Sequence, residues 1–117
     1  MEAEVRAAVE LYVEGVHTND AAKVKQAFSD DAVMWGYLGD DYVSQSGVAF
    51  ADNVVATAPP ADPAYAYKIH SIEVTGNVAQ AILEETAYLG ANFRNQFGLA
   101  RIDGRWRIVS KVFTTVA

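Results

Sequence analysis

YKIHSIEVTGNVAQAILEETAYLGANFRNQFGLARIDGRWRIVSKVFTTV, residues 67–116, decides the fold of this chain. Four long β-leaning runs fill it: Tyr67 to Val74, Val78 to Leu89, Phe93 to Ile102 and Arg105 to Val116. Gly76-Asn77, Gly90-Ala91-Asn92 and Asp103-Gly104 separate them. Asp-Gly is a strong two-residue hairpin signal. Separators this short make neighbouring strands pair antiparallel, as a meander. Long strands twist, so the sheet curves and leaves a concave face that needs covering.

The first half supplies the cover. Val5, Val9, Tyr12, Val13 and Val16 fall on one face of an amphipathic helix, with Arg6, Glu10 and Glu14 on another. Asn19 or Asp20 is placed to cap a second helix, from about Ala21 to Phe28, that buries Val24, Ala27 and Phe28. Ser29-Asp30-Asp31 is expected to break it. Ala32 to Leu38 reads as a strand, Gly39-Asp40-Asp41 as a turn and Tyr42 to Ser44 as a short returning strand. Ser46 can cap a third helix carrying Phe50, Ala51, Val54 and Val55, stopped by Pro59-Pro60. Ala58 to Ala66 is the one loop of any length. The expectation is α+β: one domain over 1–117, with a cone-shaped, curved antiparallel sheet and three helices on its concave face.

Composition narrows the function. The chain has 117 residues, enough for one domain, and 51% of them are hydrophobic. Its net charge is −6 with no Lys/Arg run, which argues against nucleic acid and anionic membrane as partners. There is no cysteine, so disulfides and thiolate chemistry are excluded. The two histidines, His17 and His70, lack metal-ligand spacing, and neither a metal nor another cofactor is expected. The N-terminus reads as neither signal peptide nor membrane helix, and the expected compartment is the cytoplasm.

Three stretches carry a family resemblance: LYVEGVHTNDAAKVKQAFSDDAVMWGY (Leu11 to Tyr37), SIEVTGNVAQA (Ser71 to Ala81) and LARIDGRWRIVSKVF (Leu99 to Phe113). In the last, Asp103-Gly104, Trp106, Ile108, Lys111 and Phe113 stand in a specific spacing. The chain resembles the nuclear transport factor 2-like superfamily, in its SnoaL-like or "Putative lumazine-binding" branch. That resemblance implies a cone-shaped pocket, which in the superfamily hosts isomerases, cyclases, dehydratases, epoxide hydrolases and non-catalytic binders. It also implies a homodimer through the outer sheet face. Ketosteroid isomerase, a member of that superfamily, uses a helix-borne tyrosine, a protonated aspartic acid and a carboxylate base. The tyrosine matches Tyr12, but the base falls at Gly36 and the second donor near Gly98. Neighbouring Met34, Trp35 and Tyr37 supply no carboxylate, so that constellation is rejected.

The candidate catalytic residues are Glu84, Glu85, Tyr12 and Lys111. Tyr12 lies on the apolar helix face, as a core tyrosine or as a hydroxyl aimed into the cone. One of the adjacent Glu84 and Glu85 must face inward. Alternation with Ala79, Ala81, Leu83 and Ala87 selects Glu85, whereas length-matching to ketosteroid isomerase selects Glu84. Strict alternation also puts Trp106 and Ile108 inside and Lys111 outside, but a bulge after Ile108 would turn Lys111 and Phe113 inward. An inward lysine could pair with the glutamate, bind an anion or polarise a carbonyl, and a Schiff-base role would need a pKa depressed by burial. Trp35, Tyr37, Phe50, Phe97 and Trp106, with Phe93, could line a slot for a planar apolar ligand or simply fill the core. Asn95 is the polar group on the Phe93, Phe97, Leu99 face and could orient a ligand. The functions in view are an acid/base enzyme on an apolar cyclic substrate, a non-catalytic binder of a planar heterocycle, and a homodimeric module with a filled pocket.

Overall fold

The computed structural model describes residues 1–117. In chain order its elements are α1 (Glu2–His17), α2 (Ala21–Ala27), β1 (Phe28–Leu38), β2 (Asp41–Ser46), α3 (Gly47–Phe50), β3 (Ala66–Thr75), β4 (Val78–Tyr88), β5 (Ala91–Ile102) and β6 (Arg105–Val116). A π-helical turn, Ala51–Val55, continues α3. The fold is α+β, with a curved, unclosed six-stranded sheet in the order β2-β1-β6-β5-β4-β3.

The meander expected from residues 67–116 forms as read: β3 to β6 pair antiparallel in sequence. The expected wholly antiparallel sheet needs one correction, since β1 runs parallel to β6. The meander brings its last strand, β6, beside β1, and the two run in the same direction.

Helix α1 buries Val5, Val9, Tyr12, Val13 and Val16, the face its periodicity assigns. Asp20 caps α2, its side chain accepting from the Lys23 amide. Asn19 instead ties down the long loop by donating to the carbonyls of Ala58 and Pro59. Phe28 is extended, at φ −84 and ψ 149, so α2 stops at Ala27. Ser29-Asp30-Asp31 therefore lies within β1, at an irregularity in its pairing with β6. Ser46 caps α3 through the Ala49 amide as expected, but the helix widens into a π turn after one α turn.

Two bulges decide which side chains face the core. In β6, Leu99 pairs with Ile108 and Gly98 with Ser110, which leaves Val109 as the extra residue. One extra residue moves the following side chains to the opposite face. Lys111 and Phe113 consequently join Trp106 and Ile108 inside. In β4 the extra residue lies between Glu85 and Tyr88. Ala87 sits there at φ 56, its amide donating to the Asn92 side chain. That bulge corrects the expected inward Ala87: Tyr88 takes its place.

One contact between neighbouring strands depends on a glycine. A Cβ at Gly36 would lie 2.5 Å from the Phe113 ring and closer still to its carbonyl oxygen. Gly36 thus lets β1 approach β6 while Phe113 crosses above it.

Candidate functional site

A cavity of about 90 Å³ remains between the sheet and the α3 turn. Its apolar walls come from Met34, Phe50, Phe93 and Phe113, and its polar groups are Glu85, Lys111 and Tyr88. Leu38 and Leu89, each about half exposed, lie where it meets the surface.

Glu85 is 1% exposed, and both its oxygens are engaged. The Asn95 amide donates to one at 2.8 Å and the Tyr65 hydroxyl to the other at 2.8 Å. Burial raises the carboxyl above its ordinary range. The nearby Lys111 charge and the two hydrogen bonds oppose that rise without cancelling it.

Lys111 is 4% exposed, and its ammonium donates to the Tyr12 hydroxyl at 2.6 Å. Its nitrogen lies 4.6 Å from the centre of the Phe50 ring and 5.0 Å from those of Tyr12 and Phe113. Aromatic faces attract a cation but replace little of its lost hydration. Burial accordingly lowers its pKa from 10.5 to about 8, with the Glu85 charge pulling the other way. Glu85 and Lys111 share this wall without forming an ion pair within 4.0 Å.

Tyr12 is wholly buried, edge-on to Phe28 and Phe97 and stacked on Phe50. Its hydroxyl pKa is raised well above 10 by burial and by the Glu85 charge, so it remains a neutral phenol. The Tyr88 hydroxyl is buried and has no hydrogen-bond partner in the protein.

Glu85, Lys111 and Phe50 therefore line the cavity, with Asn95 and Tyr12 behind them as the hydrogen-bond partners of Glu85 and Lys111. The other candidates do not. Glu84 points outward, taking hydrogen bonds from Arg94 at 2.7 Å and His70 at 3.0 Å, so alternation rather than length-matching chose correctly. Trp35 and Tyr37 are 38% and 47% exposed, which corrects their placement in an inner slot. The inward side of β1 is Ala32, Met34 and Gly36, since Phe113 occupies the space an aromatic residue there would need. Phe97 packs on Tyr12 without reaching the cavity. Trp106 is buried elsewhere, beside Ala7, Ala8 and Leu11 of α1.

Sequence reading missed Tyr65 and Tyr88. Tyr65 lies in the long loop, where nothing in the local pattern marks a hydroxyl that reaches back to β4. His17 is exposed and stacks on Tyr65 at 4.9 Å between ring centres. No group of three or more His, Asp or Glu side chains is arranged to hold a metal ion. No helix is long and apolar enough to cross a membrane.

Known proteins share this architecture. A nuclear transport factor 2-like protein of unknown function from Silicibacter pomeroyi superposes with a TM-score of 0.88, at 27% identity over 97% of this chain and 94% of its own. A protein of the same description from Methylobacillus flagellatus gives 0.88, at 26% identity over 98% and 91%. A ketosteroid isomerase-like protein from Erwinia carotovora atroseptica gives 0.76 at 20% identity, covering 99% and 96%, a likeness of fold alone. Among curated proteins, aldolase FrzH from Cladobotryum sp. is 23% identical over 105 residues, 87% of this chain and 81% of its own. The family model described as "Putative lumazine-binding" matches residues 1–114, and the chain belongs to that family, within the nuclear transport factor 2-like superfamily.

Proposed function

We propose that the cavity is a proton-transfer site for a small apolar carbonyl compound. Glu85 gives and takes the proton, and Lys111, positioned by the Tyr12 hydroxyl, holds the substrate oxygen. Asn95 and Tyr65 are positioning residues that fix the carboxyl. The observation that carries this reading is a buried glutamate and a buried lysine on one cavity wall, each with its own hydrogen-bond partner and not paired with the other. A structural ion pair would instead bring the two charges together to offset desolvation. A carboxyl raised toward neutrality by burial suits a general acid or base.

The volume bears on the ligand. Pockets for drug-sized molecules run to roughly 300–1,000 Å³. A cavity of about 90 Å³ falls well below this, so the reading as a binder of a planar heterocycle gains no support from it. For the same reason a cyclic substrate is limited to a small ring partly in the mouth. Isomerisation, dehydration and cyclisation can all begin with removal of a proton beside a carbonyl. The aldolase name carried by one relative is in keeping with carbonyl chemistry.

The test is exchange of the protons beside the carbonyl of acetone and of cyclopentanone for deuterium in heavy water, followed by proton NMR. Glu85→Gln should slow enzyme-dependent exchange by about 10²–10⁴-fold. Equal exchange in the variant, or none above buffer in the native protein, would overturn the reading.

We also propose that a second copy packs on the outer sheet face. Trp35, Tyr37 and Val112 are exposed there on adjoining strands β1 and β6. Sedimentation equilibrium tests this directly.

A further inference from the structure

The surroundings of the Lys111 nitrogen are apolar on three sides. Phe50, Phe113 and the Tyr12 ring enclose it, and the Tyr12 hydroxyl is its one hydrogen-bond partner. An ammonium has three N–H donors, so two are left without a partner in the protein. A neutral amine fits better. It donates one N–H to Tyr12 and can turn its lone pair to the cavity it lines. This nitrogen and the Glu85 oxygens are more than 4.0 Å apart, and both residues line the same cavity.

We infer that Lys111 is a nucleophile that captures a small aldehyde or ketone as an imine, with Glu85 shuttling the protons. This deepens the proton-transfer reading and rests on it. The nitrogen pair forms the C–N bond while the C=O π pair moves to oxygen. One N–H proton passes by way of Glu85 to that oxygen, giving the carbinolamine. Protonated by the carboxylic acid of Glu85, the hydroxyl leaves as water while the nitrogen pair closes the C=N bond. The Glu85 carboxylate then removes a proton from the adjoining carbon, giving an enamine. The balance is carbonyl plus amine to enamine plus water; at the iminium stage the extra proton is the one Glu85 has given up, and its carboxylate regains a proton as the enamine forms.

Size sets the substrate class. At about 30 Å³ per water in the liquid, the cavity holds the equivalent of about three waters. That is the bulk of an aliphatic aldehyde or ketone of roughly three to five non-hydrogen atoms. The free-base fraction favours this site. At pH 8 about half of a lysine with a pKa of about 8 is neutral, against well under one per cent of an ordinary lysine.

The experiment is reductive trapping. The native protein is incubated with limiting acetone and cyanoborohydride near pH 8, digested, and mapped for the isopropyl group. Lys111 should be labelled at least tenfold faster than Lys23, Lys25 or Lys68. Glu85→Gln should slow that labelling, and Lys111→Arg, checked for folding by circular dichroism, should abolish the fast site. Labelling that follows exposure, or that reaches Lys111 only in denaturant, overturns the inference. The two readings separate in the exchange assay. Glu85-dependent exchange that survives in Lys111→Arg sinks the imine and leaves proton transfer standing. Trapping at Lys111 without any exchange supports nucleophilic capture and sinks proton transfer.

Discussion

Replacing Lys111 by Met should make this protein more stable at neutral pH, and the gain should vanish in alkali. The pKa of Lys111 falls from 10.5 to about 8 on folding, which is a preference of the native state for the neutral amine. Holding the charged form below pH 8 therefore costs on the order of 3 kcal/mol. Methionine is similar in length and carries no charge. It removes that cost but leaves the Tyr12 hydroxyl without its donor, a loss of about 1–2 kcal/mol. The net expectation at pH 7 is a gain of about 1–2 kcal/mol. The sign with pH follows from proton counting. Between pH 8 and 10.5 the unfolded lysine binds more protons than the folded one, so native stability rises with pH there. The methionine variant has no such rise. Its advantage should shrink by about 2 kcal/mol between pH 7 and pH 10. Urea unfolding of both proteins at the two pH values measures this. A difference that stays constant from pH 7 to pH 10 would refute the claim that burial has depressed this lysine.

Four further outcomes follow from the same geometry. Glu85→Gln should gain stability relative to the native protein as pH rises above the ordinary carboxylate range, because a raised folded pKa penalises the ionised form; unfolding at pH 4 and pH 7 reads this. Tyr65→Phe removes a hydrogen bond that stabilises the carboxylate, so the pH profile of proton exchange should move to higher pH. Gly36→Ala should cost about 1–3 kcal/mol or more in urea unfolding, since the new methyl meets the Phe113 backbone and ring. Trp35→Glu, at a residue 38% exposed, should abolish self-association while leaving the monomer's circular dichroism unchanged.

Local pattern and fold agreed wherever the chain follows a strict period. The valine face of α1, the Asp20 and Ser46 caps and the short turns of the meander are all determined within a few residues of sequence. Alternation also placed Glu85 correctly, because no bulge precedes it on β4. The site was less legible where parity changes or where distant segments meet. Lys111 faces inward only because Val109 is extra, and Val-Ser before it carries no mark of a bulge. Trp35 and Tyr37 share one face of β1 by alternation, but which face is inner depends on Phe113, far along the chain. Tyr65 reaches Glu85 from a loop, a contact that only the folded chain brings together.

The extra residue in β6 ties the chemistry of the cavity to a backbone feature rather than to side-chain identity alone. Were β6 to pair without the bulge, with Val109 taken into the ladder, Ser110, Val112 and Thr114 would turn inward in place of Lys111 and Phe113. One shift of pairing there rewrites the inner face at once, which no single substitution can do. The presence or absence of a bulge in this strand is thus an evolutionary route by which one scaffold can alternate between a reactive lining and an inert one.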